Sequence, residues 1–235
     1  MIMSEENISE NDGKEFENSK FYKFAKGRGV MNLPNKLTIS RMVMIPVFIL
    51  FFYLQFTAHY FVALAVFAVA SLTDLFDGKI ARKYHLVTNL GKFLDPIADK
   101  VLVLSALVVL LTIPQIFTLY LGGWALIVAG CGIAIILARE IIVSGFRLVA
   151  VDAGIVIAAD KIGKYKTVTQ DIAVVVLLIS AALIELYGAN YQVEALYTLS
   201  KVVNYIGLAF FALSVILTII SGINYIVKNK EVLKR

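Results

Sequence analysis

Residues 74–82 read D-L-F-D-G-K-I-A-R, and residues 91–99 read G-K-F-L-D-P-I-A-D, with eight residues between them. The two segments hold four aspartates, two glycines and one arginine within an otherwise apolar chain. An ionisable side chain at membrane depth costs ~2.5–3.5 kcal/mol on insertion scales, and neighbouring carboxylates repel one another unless a cation lies between them. The stretch therefore predicts a divalent-metal site at a membrane surface and chemistry on a phosphate.

The spacing of these side chains predicts that they converge. On a helix that turns about 100° per residue, an arc of about 140° holds the polar and small residues of the first segment: Asp74, Asp77, Gly78, Ala81 and Arg82. In the second segment, Asp95 and Asp99 lie one turn apart, and Gly91 lies one turn before them. Carboxylate oxygens suit Mg²⁺ first and Mn²⁺ or Ca²⁺ next, and four of them are enough for two metal ions. The glycines leave room for a bulky ligand. The competing interpretation is that the acids only pair with nearby Lys and Arg at the helix ends.

Composition predicts an all-α integral membrane protein. The chain has 235 residues, 60% of them hydrophobic, whereas an ordinary soluble domain is roughly 45–50% apolar. Because a spanning helix needs about 20 mostly apolar residues, we expect six transmembrane helices at 37–57, 60–77, 93–114, 121–150, 165–187 and 203–227. Residues 4–19 are rich in Ser, Glu and Asn, and residues 20–30 mix cations with aromatic side chains. Residues 1–30 are therefore expected to form a disordered or interfacial leader, and 31–235 the membrane domain.

Charge distribution predicts the orientation. Lysines and arginines concentrate before the first span, between the second and third spans, between the fourth and fifth spans, and in the C-terminal tail. The loops on the opposite side, near 56–60, 114–121 and 187–202, carry only Lys201. By the positive-inside rule the basic side is cytoplasmic. An even number of spans then puts both termini and the acidic motif on the cytoplasmic side of the cell membrane.

The acidic stretch resembles the signature of the CDP-alcohol phosphatidyltransferases, D-x2-D-G-x2-A-R-x8-G-x3-D-x3-D, at every fixed position. The resemblance covers roughly residues 31–230. It implies a six-helix membrane enzyme, usually a homodimer, with a polar cavity that opens to the cytoplasm. Such an enzyme uses Mg²⁺ or Mn²⁺ to transfer a phosphatidyl group from a CDP-linked lipid to an alcohol and releases CMP. Membrane lipids are expected partners, and nucleic acid is not.

The resemblance also implies roles for individual residues. Asp74, Asp77 and Asp95 correspond to metal ligands, and Asp99 corresponds to the general base and a further ligand. Contacts to the cytidine diphosphate part of CDP-diacylglycerol are implied for five residues: Asn35, Thr38, Gly78, Arg82 and Thr88. For two of them a structural interpretation competes, because Asn35 could cap a helix and the Thr38 hydroxyl could bond to the backbone.

A second, basic cluster bears on the acceptor alcohol. Arg139 and Arg147 interrupt an apolar run and need a partner, which could be Glu140, a lipid phosphate or a substrate phosphate. Lys164 and Lys166 open the next span, so that three or four cations converge near the membrane surface and suggest an anion pocket; for Lys161 and Lys166 the positive-inside rule is the competing interpretation. The segments A-R-E-I-I-V-S-G-F-R and G-K-Y-K-T-V-T-Q resemble the branch of the family whose acceptor is glycerol 3-phosphate. In that branch Arg139, Arg147 and Lys164 would hold the acceptor phosphate.

Other functions are weaker fits. Within the family the acceptor could instead be an inositol phosphate, serine or a lipid alcohol. A cation transporter would also place carboxylates in a membrane, but these acids cluster at one end of two adjacent spans, and the outer half of the chain shows no matching polar path. A non-catalytic scaffold would not need the glycines and Arg82 in register.

Overall fold

The structure, a computed structural model, describes residues 32–83, 88–152, 161–189 and 193–229. Within these ranges the chain is helical and has no strand. The helices are α1 (Leu33–Tyr53), α2 (His59–Lys83), α3 (Asn89–Leu110), α4 (Pro114–Leu121), α5 (Trp124–Asp152), α6 (Lys161–Ala189) and α7 (Glu194–Lys228). The predicted leader, residues 1–30, lies outside the described residues, as do residues 84–87 of the link between the two acidic segments.

The helices confirm an all-α membrane protein. In the described part of the chain, four stretches are long and apolar enough to cross a bilayer: Leu33–Tyr53, Trp124–Arg147, Ile162–Gly188 and Glu194–Lys228. A fifth results if Leu94–Leu110 and Pro114–Leu121, bent by 54°, form one span. The apolar part of α2 is the shorter helix segment His59–Thr73, because the sequence turns acidic at Asp74.

Two predicted boundaries were wrong. The helix that corresponds to the predicted span 93–114 is shorter than expected, since α3 stops at Leu110. A separate helix, α4, occupies residues 114–121, which were predicted to be a loop. Pro114, the last residue of the predicted span 93–114, is the first residue of α4, and proline suits that position because a first-turn N–H has no partner in the helix. The last helix begins at Glu194, nine residues before the predicted start at 203.

The chain divides into two compact units. Among the described residues, the first comprises 32–46, 67–83 and 88–102. It buries the apolar side chains Ile45, Phe67, Ala70, Ala98 and Leu102 and a polar row on α1, Asn32, Asn35, Thr38 and Arg41. Asn32 directly precedes α1, and Asn35, Thr38 and Arg41 follow at intervals of three residues, so that each is turned about 60° from the one before and the three spread over about 120° of the helix.

The second unit comprises 47–66 and the described residues from 103 onward. Its main helix pair is α6 with α7, and α7 also packs on α5. The buried face of α7 consists mostly of small and polar residues: Ser200, Asn204, Gly207, Phe211, Ser214, Thr218, Ser221 and Tyr225. A Cβ atom on Gly207 would lie 2.8 Å from Leu177 Cδ2, so this glycine allows the close approach of two helices that small residues provide in membranes.

Candidate active site

The start of α1 is fixed by a side-chain cap. The Asn35 backbone N–H donates to Asn32 Oδ1 at 3.0 Å, which is the bond that an asparagine makes when it caps a helix N-terminus. The alternative in which Asn35 itself is the cap is therefore wrong, and Asn32 has that role. The cap uses only the Asn35 backbone N–H, so the Asn35 side chain is available for other contacts in the first unit.

The Asn35 amide meets Thr88, at the start of α3. Thr88 Oγ1 lies 2.8 Å from Asn35 Nδ2 and 3.0 Å from Asn35 Oδ1. The same hydroxyl accepts from the Gly91 N–H at 3.0 Å and so caps α3. Both residues, predicted to contact the nucleotide, therefore join α1 to α3. Their contact with a nucleotide stays a prediction.

Gly91 makes this junction possible. A Cβ atom there would lie 2.7 Å from Asn35 Oδ1 and 3.3 Å from Thr88 Oγ1. The sequence predicted that the missing side chain leaves room for a bulky ligand, but in the structure the Asn35 amide takes that room. The glycine is needed for a contact within the protein.

We expect Gly91→Ala to destabilise the protein by about 1–3 kcal/mol, the usual cost of inserting a methyl group into a packed site. Gly145→Ala is the matched control, because a Cβ atom there would have no neighbour within 4 Å and alanine is the better helix former. Thermal unfolding of both variants in detergent measures the difference. Equal midpoints for the two variants would contradict the role of Gly91.

Two of the four acids have described side chains, and both are partly exposed on α3. Thr38 Oγ1 lies 2.5 Å from Asp95 Oδ1 and 3.2 Å from the Pro34 carbonyl oxygen. A hydroxyl has one proton to donate, and the shorter contact is the one to the carboxylate. The hydroxyl therefore donates to Asp95, and the Pro34 carbonyl oxygen, the backbone acceptor considered as an alternative for Thr38, lies within reach as the second, longer contact.

The other two acids lie on the C-terminal part of α2. Asp74, Asp77, Gly78 and Arg82 all fall within His59–Lys83, as the helical spacing requires, but their side chains lie outside the described ones. Among the side chains that are described, no three His, Cys, Asp or Glu residues are grouped to hold a metal ion. The four-carboxylate site stays a prediction, and the carboxylate oxygens of Asp95 and Asp99 are donors of the type that Mg²⁺ binds.

The basic cluster lies in the second unit, where a buried carboxylate joins two cations. Glu140 Oε1 accepts from Arg139 Nη1 at 3.0 Å and from Lys166 Nζ at 2.6 Å. Arg139 Nη2 also donates to Ser221 Oγ at 2.7 Å. The sequence left three possible partners for Arg139: Glu140, a lipid phosphate and a substrate phosphate. The structure shows the bond to Glu140.

The other two predicted phosphate-binding residues are exposed. The Arg147 guanidinium carbon lies 5.8 Å from the centre of the Tyr225 ring, within reach of a cation–π interaction. Lys164 is exposed, whereas Lys166, two residues on, is only 2% exposed. The sequence suggested Lys166 as part of an anion pocket, with the positive-inside excess as the alternative, and neither interpretation included its buried ion pair with Glu140. The sequence does contain one acid, Glu140, inside the predicted span 121–150, and this acid was the available sign of a buried ion pair.

A family model for the CDP-alcohol phosphatidyltransferases matches residues 31–220. The chain belongs to this family. The match includes both acidic segments, both arginines of the basic cluster and every buried polar residue of α1 from Asn32 to Arg41. The resemblance drawn from the signature is confirmed.

Similar proteins in this family carry a specific name. The chain is 38% identical over 218 residues to the CDP-diacylglycerol–glycerol-3-phosphate 3-phosphatidyltransferase of Bacillus subtilis (strain 168), a match that covers 87% of this chain and 98% of that protein. It is 36% identical over 197 residues to the protein of the same name from Escherichia coli (strain K12), covering 83% of this chain and 93% of that protein. The similarity therefore extends well beyond the signature of the phosphatidyltransferase family.

Proposed function

We infer that the chain transfers the phosphatidyl group of CDP-diacylglycerol to sn-glycerol 3-phosphate, giving phosphatidylglycerophosphate and CMP in phospholipid biosynthesis. The observation that carries this inference is similarity to proteins named for that reaction, at 36–38% identity over more than four fifths of the chain. The family signature in α2 and α3 supplies the residues for the phosphatidyl transfer, and the basic cluster on α5 and α6 distinguishes a phosphorylated acceptor from a neutral one.

We propose that the acids act with two Mg²⁺ or Mn²⁺ ions, held by Asp74, Asp77, Asp95 and Asp99. The bond from Thr38 to Asp95 supports this, because side chains that ligate metals are commonly held in place by a second hydrogen-bonding residue. When bound, the ions would neutralise charge that develops on the pyrophosphate during transfer. Thr38 would then act through Asp95, while Gly78 and Arg82 face the cytidine diphosphate.

Asp99 is proposed to accept the proton from the primary hydroxyl of glycerol 3-phosphate. The oxygen so freed forms a bond to the phosphorus that carries diacylglycerol. The bond from that phosphorus to the bridging oxygen of the pyrophosphate breaks, and CMP leaves with the electron pair. This is a direct displacement with no covalent enzyme intermediate, and it agrees with the place of the free Cys131 in the sequence, within α5 and outside both acidic segments. Arg139, Arg147 and Lys164 would hold the acceptor phosphate.

We propose six transmembrane helices around a polar cavity that opens to the cytoplasm, with both termini on the cytoplasmic side and a homodimer as the assembled form. The supporting observations are the one-sided excess of lysine and arginine and the polar row buried on α1. The acidic segments lie at the end of α2 and the start of α3, which is the side that carries this excess. Substrates would then reach the acids from the cytoplasm and from the inner leaflet.

Transfer of radiolabelled glycerol 3-phosphate into lipid tests the proposed function. Purified protein with CDP-diacylglycerol and Mg²⁺ is expected to move the label into the organic phase as phosphatidylglycerophosphate. Unlabelled inositol phosphate and serine, each supplied in large excess as a competitor, are expected to leave the transfer unchanged. If labelled glycerol 3-phosphate stays in the aqueous phase, while inositol phosphate, serine or a lipid alcohol enters lipid when it carries the label in a parallel assay, the chemistry stands and the acceptor is wrong. No transfer to any acceptor would favour the cation-transporter alternative.

A further inference from the structure

The conformation of Arg139 is set by its neighbours in the second unit. Its guanidinium group donates to Glu140 and to Ser221. Two glycines pack against the side chain: a Cβ atom on Gly222 would lie 3.3 Å from Arg139 Cγ, which is a tight contact, and one on Gly163 would lie 3.5 Å from Arg139 Nη2, an ordinary van der Waals distance. The arginine is therefore held at its stem and at its charged end.

The bond between Arg139 and Glu140 is not a consequence of their being adjacent in sequence. Consecutive residues on a helix point about 100° apart and do not face each other. The arginine must bend round the helix to reach Glu140 Oε1, which lies 3.0 Å from Nη1. The same oxygen lies 2.6 Å from Lys166 Nζ, so one buried carboxylate fixes two cations from two helices.

The cluster retains a hydrogen-bond donor for an anion. Arg139 and Lys166 contribute two positive charges, and Glu140 and Asp171, which interacts electrostatically with Lys166, contribute two negative charges. Arg139 Nε is buried and has no hydrogen-bond acceptor among the described residues, although arginine carries five N–H donors in a rigid fork. The Arg139 side chain as a whole is 15% exposed, although its Nε atom is buried.

We propose that Glu140 is a positioning residue, which orients the Arg139 guanidinium group so that it can bind the phosphate of the acceptor. This inference rests on the proposed function, because it takes the acceptor to be phosphorylated. Lys166 bonds to the same oxygen of Glu140 and holds the carboxylate in place within the buried cluster. Ser221 holds the other end of the guanidinium group, so the fork has a fixed direction before the substrate arrives.

The double variant Glu140→Gln/Lys166→Met tests this role. Glu140→Gln alone would leave Lys166 buried without the carboxylate that accepts its hydrogen bond and could unfold the protein, whereas exchanging a buried ion pair for neutral residues is often tolerated. The double variant also keeps the net charge of the cluster at that of the wild type, because one positive and one negative charge are removed together. A change in acceptor affinity then reports the orientation of Arg139 and not the charge.

Glu185→Gln is the matched control. Glu185 is another partly buried carboxylate of the second unit, and it accepts from the Ala58 backbone N–H at 3.1 Å. It lies 19 residues after Lys166 on α6, which is about 28 Å along a helix. We expect this variant to change neither substrate's KM.

In the double variant we expect the KM for glycerol 3-phosphate to rise about tenfold, in line with the loss of a hydrogen bond to a charged group, while the KM for CDP-diacylglycerol stays within twofold of the wild type. A wild-type KM for glycerol 3-phosphate in a folded double variant would overturn the positioning role and show that Glu140 only neutralises Lys166. An equal rise in both KM values would also overturn it. If the wild-type protein does not use glycerol 3-phosphate at all, the proposed function fails, and the inference fails with it.

Discussion

Asp99→Asn is expected to lower kcat by about 100- to 10,000-fold, the usual contribution of a positioned general base. Asparagine keeps the size of the side chain and its place on α3, one turn after Asp95, but its amide does not accept a proton near neutral pH. The three other aspartates of the signature remain, so nucleotide binding should be largely retained. CMP release measures turnover, and calorimetric titration with CDP-diacylglycerol and Mg²⁺ in detergent measures binding.

Glu194→Gln is the control for this variant, because Glu194 is an exposed acid in the first turn of α7 and should not affect turnover. Near-normal activity of Asp99→Asn would show that Asp99 is not the base. Loss of activity together with loss of nucleotide binding would instead mark Asp99 as a ligand that the site needs before chemistry begins.

Arg139→Ala is expected to raise the KM for glycerol 3-phosphate by about 10- to 100-fold, since hydrogen bonds to charged groups contribute about 1.5–3 kcal/mol. The KM for CDP-diacylglycerol should change much less, because the nucleotide is assigned to the first unit. Steady-state kinetics with each substrate varied in turn gives both constants. The variant also removes one of the cations that bond to Glu140, so its folding is checked by thermal unfolding.

Arg139→Lys separates charge from geometry at the same position. Lysine keeps the positive charge but lacks the planar fork that binds a phosphate through two parallel bonds. We expect an intermediate KM for glycerol 3-phosphate. Equal effects of Arg139→Ala on the two substrates would contradict the assignment of Arg139 to the acceptor.

Most of the helical architecture follows from the sequence, because a long apolar run must satisfy its backbone groups internally in a bilayer. Each predicted span coincides with a helix over most of its length. The boundaries near Pro114 were wrong because a proline favours both the end of one helix and the first turn of the next. Periodicity alone does not choose between these positions.

The site was predictable only in part. The signature placed Asp95 and Asp99 on one helix, since positions four apart share a face. The hydrogen-bond partners of these aspartates, and of the charged residues in the basic cluster, depend on which helix faces pack together. Helical periodicity does not give that information. The bond from Thr38 to Asp95 joins residues 57 positions apart, and the bond from Lys166 to Glu140 joins residues 26 apart. Gly91 was interpreted as space for a ligand because the approach of Asn35 could not be seen in the sequence.

The most direct test of the central claim is CMP release by the purified protein supplied with CDP-diacylglycerol, Mg²⁺ and glycerol 3-phosphate. We predict that release requires glycerol 3-phosphate, stops when EDTA removes the metal, and resumes when Mg²⁺ is restored in excess. Release that proceeds equally without any acceptor would contradict transfer and indicate hydrolysis of the CDP-linked lipid. Release that persists in EDTA would contradict the proposed metal site.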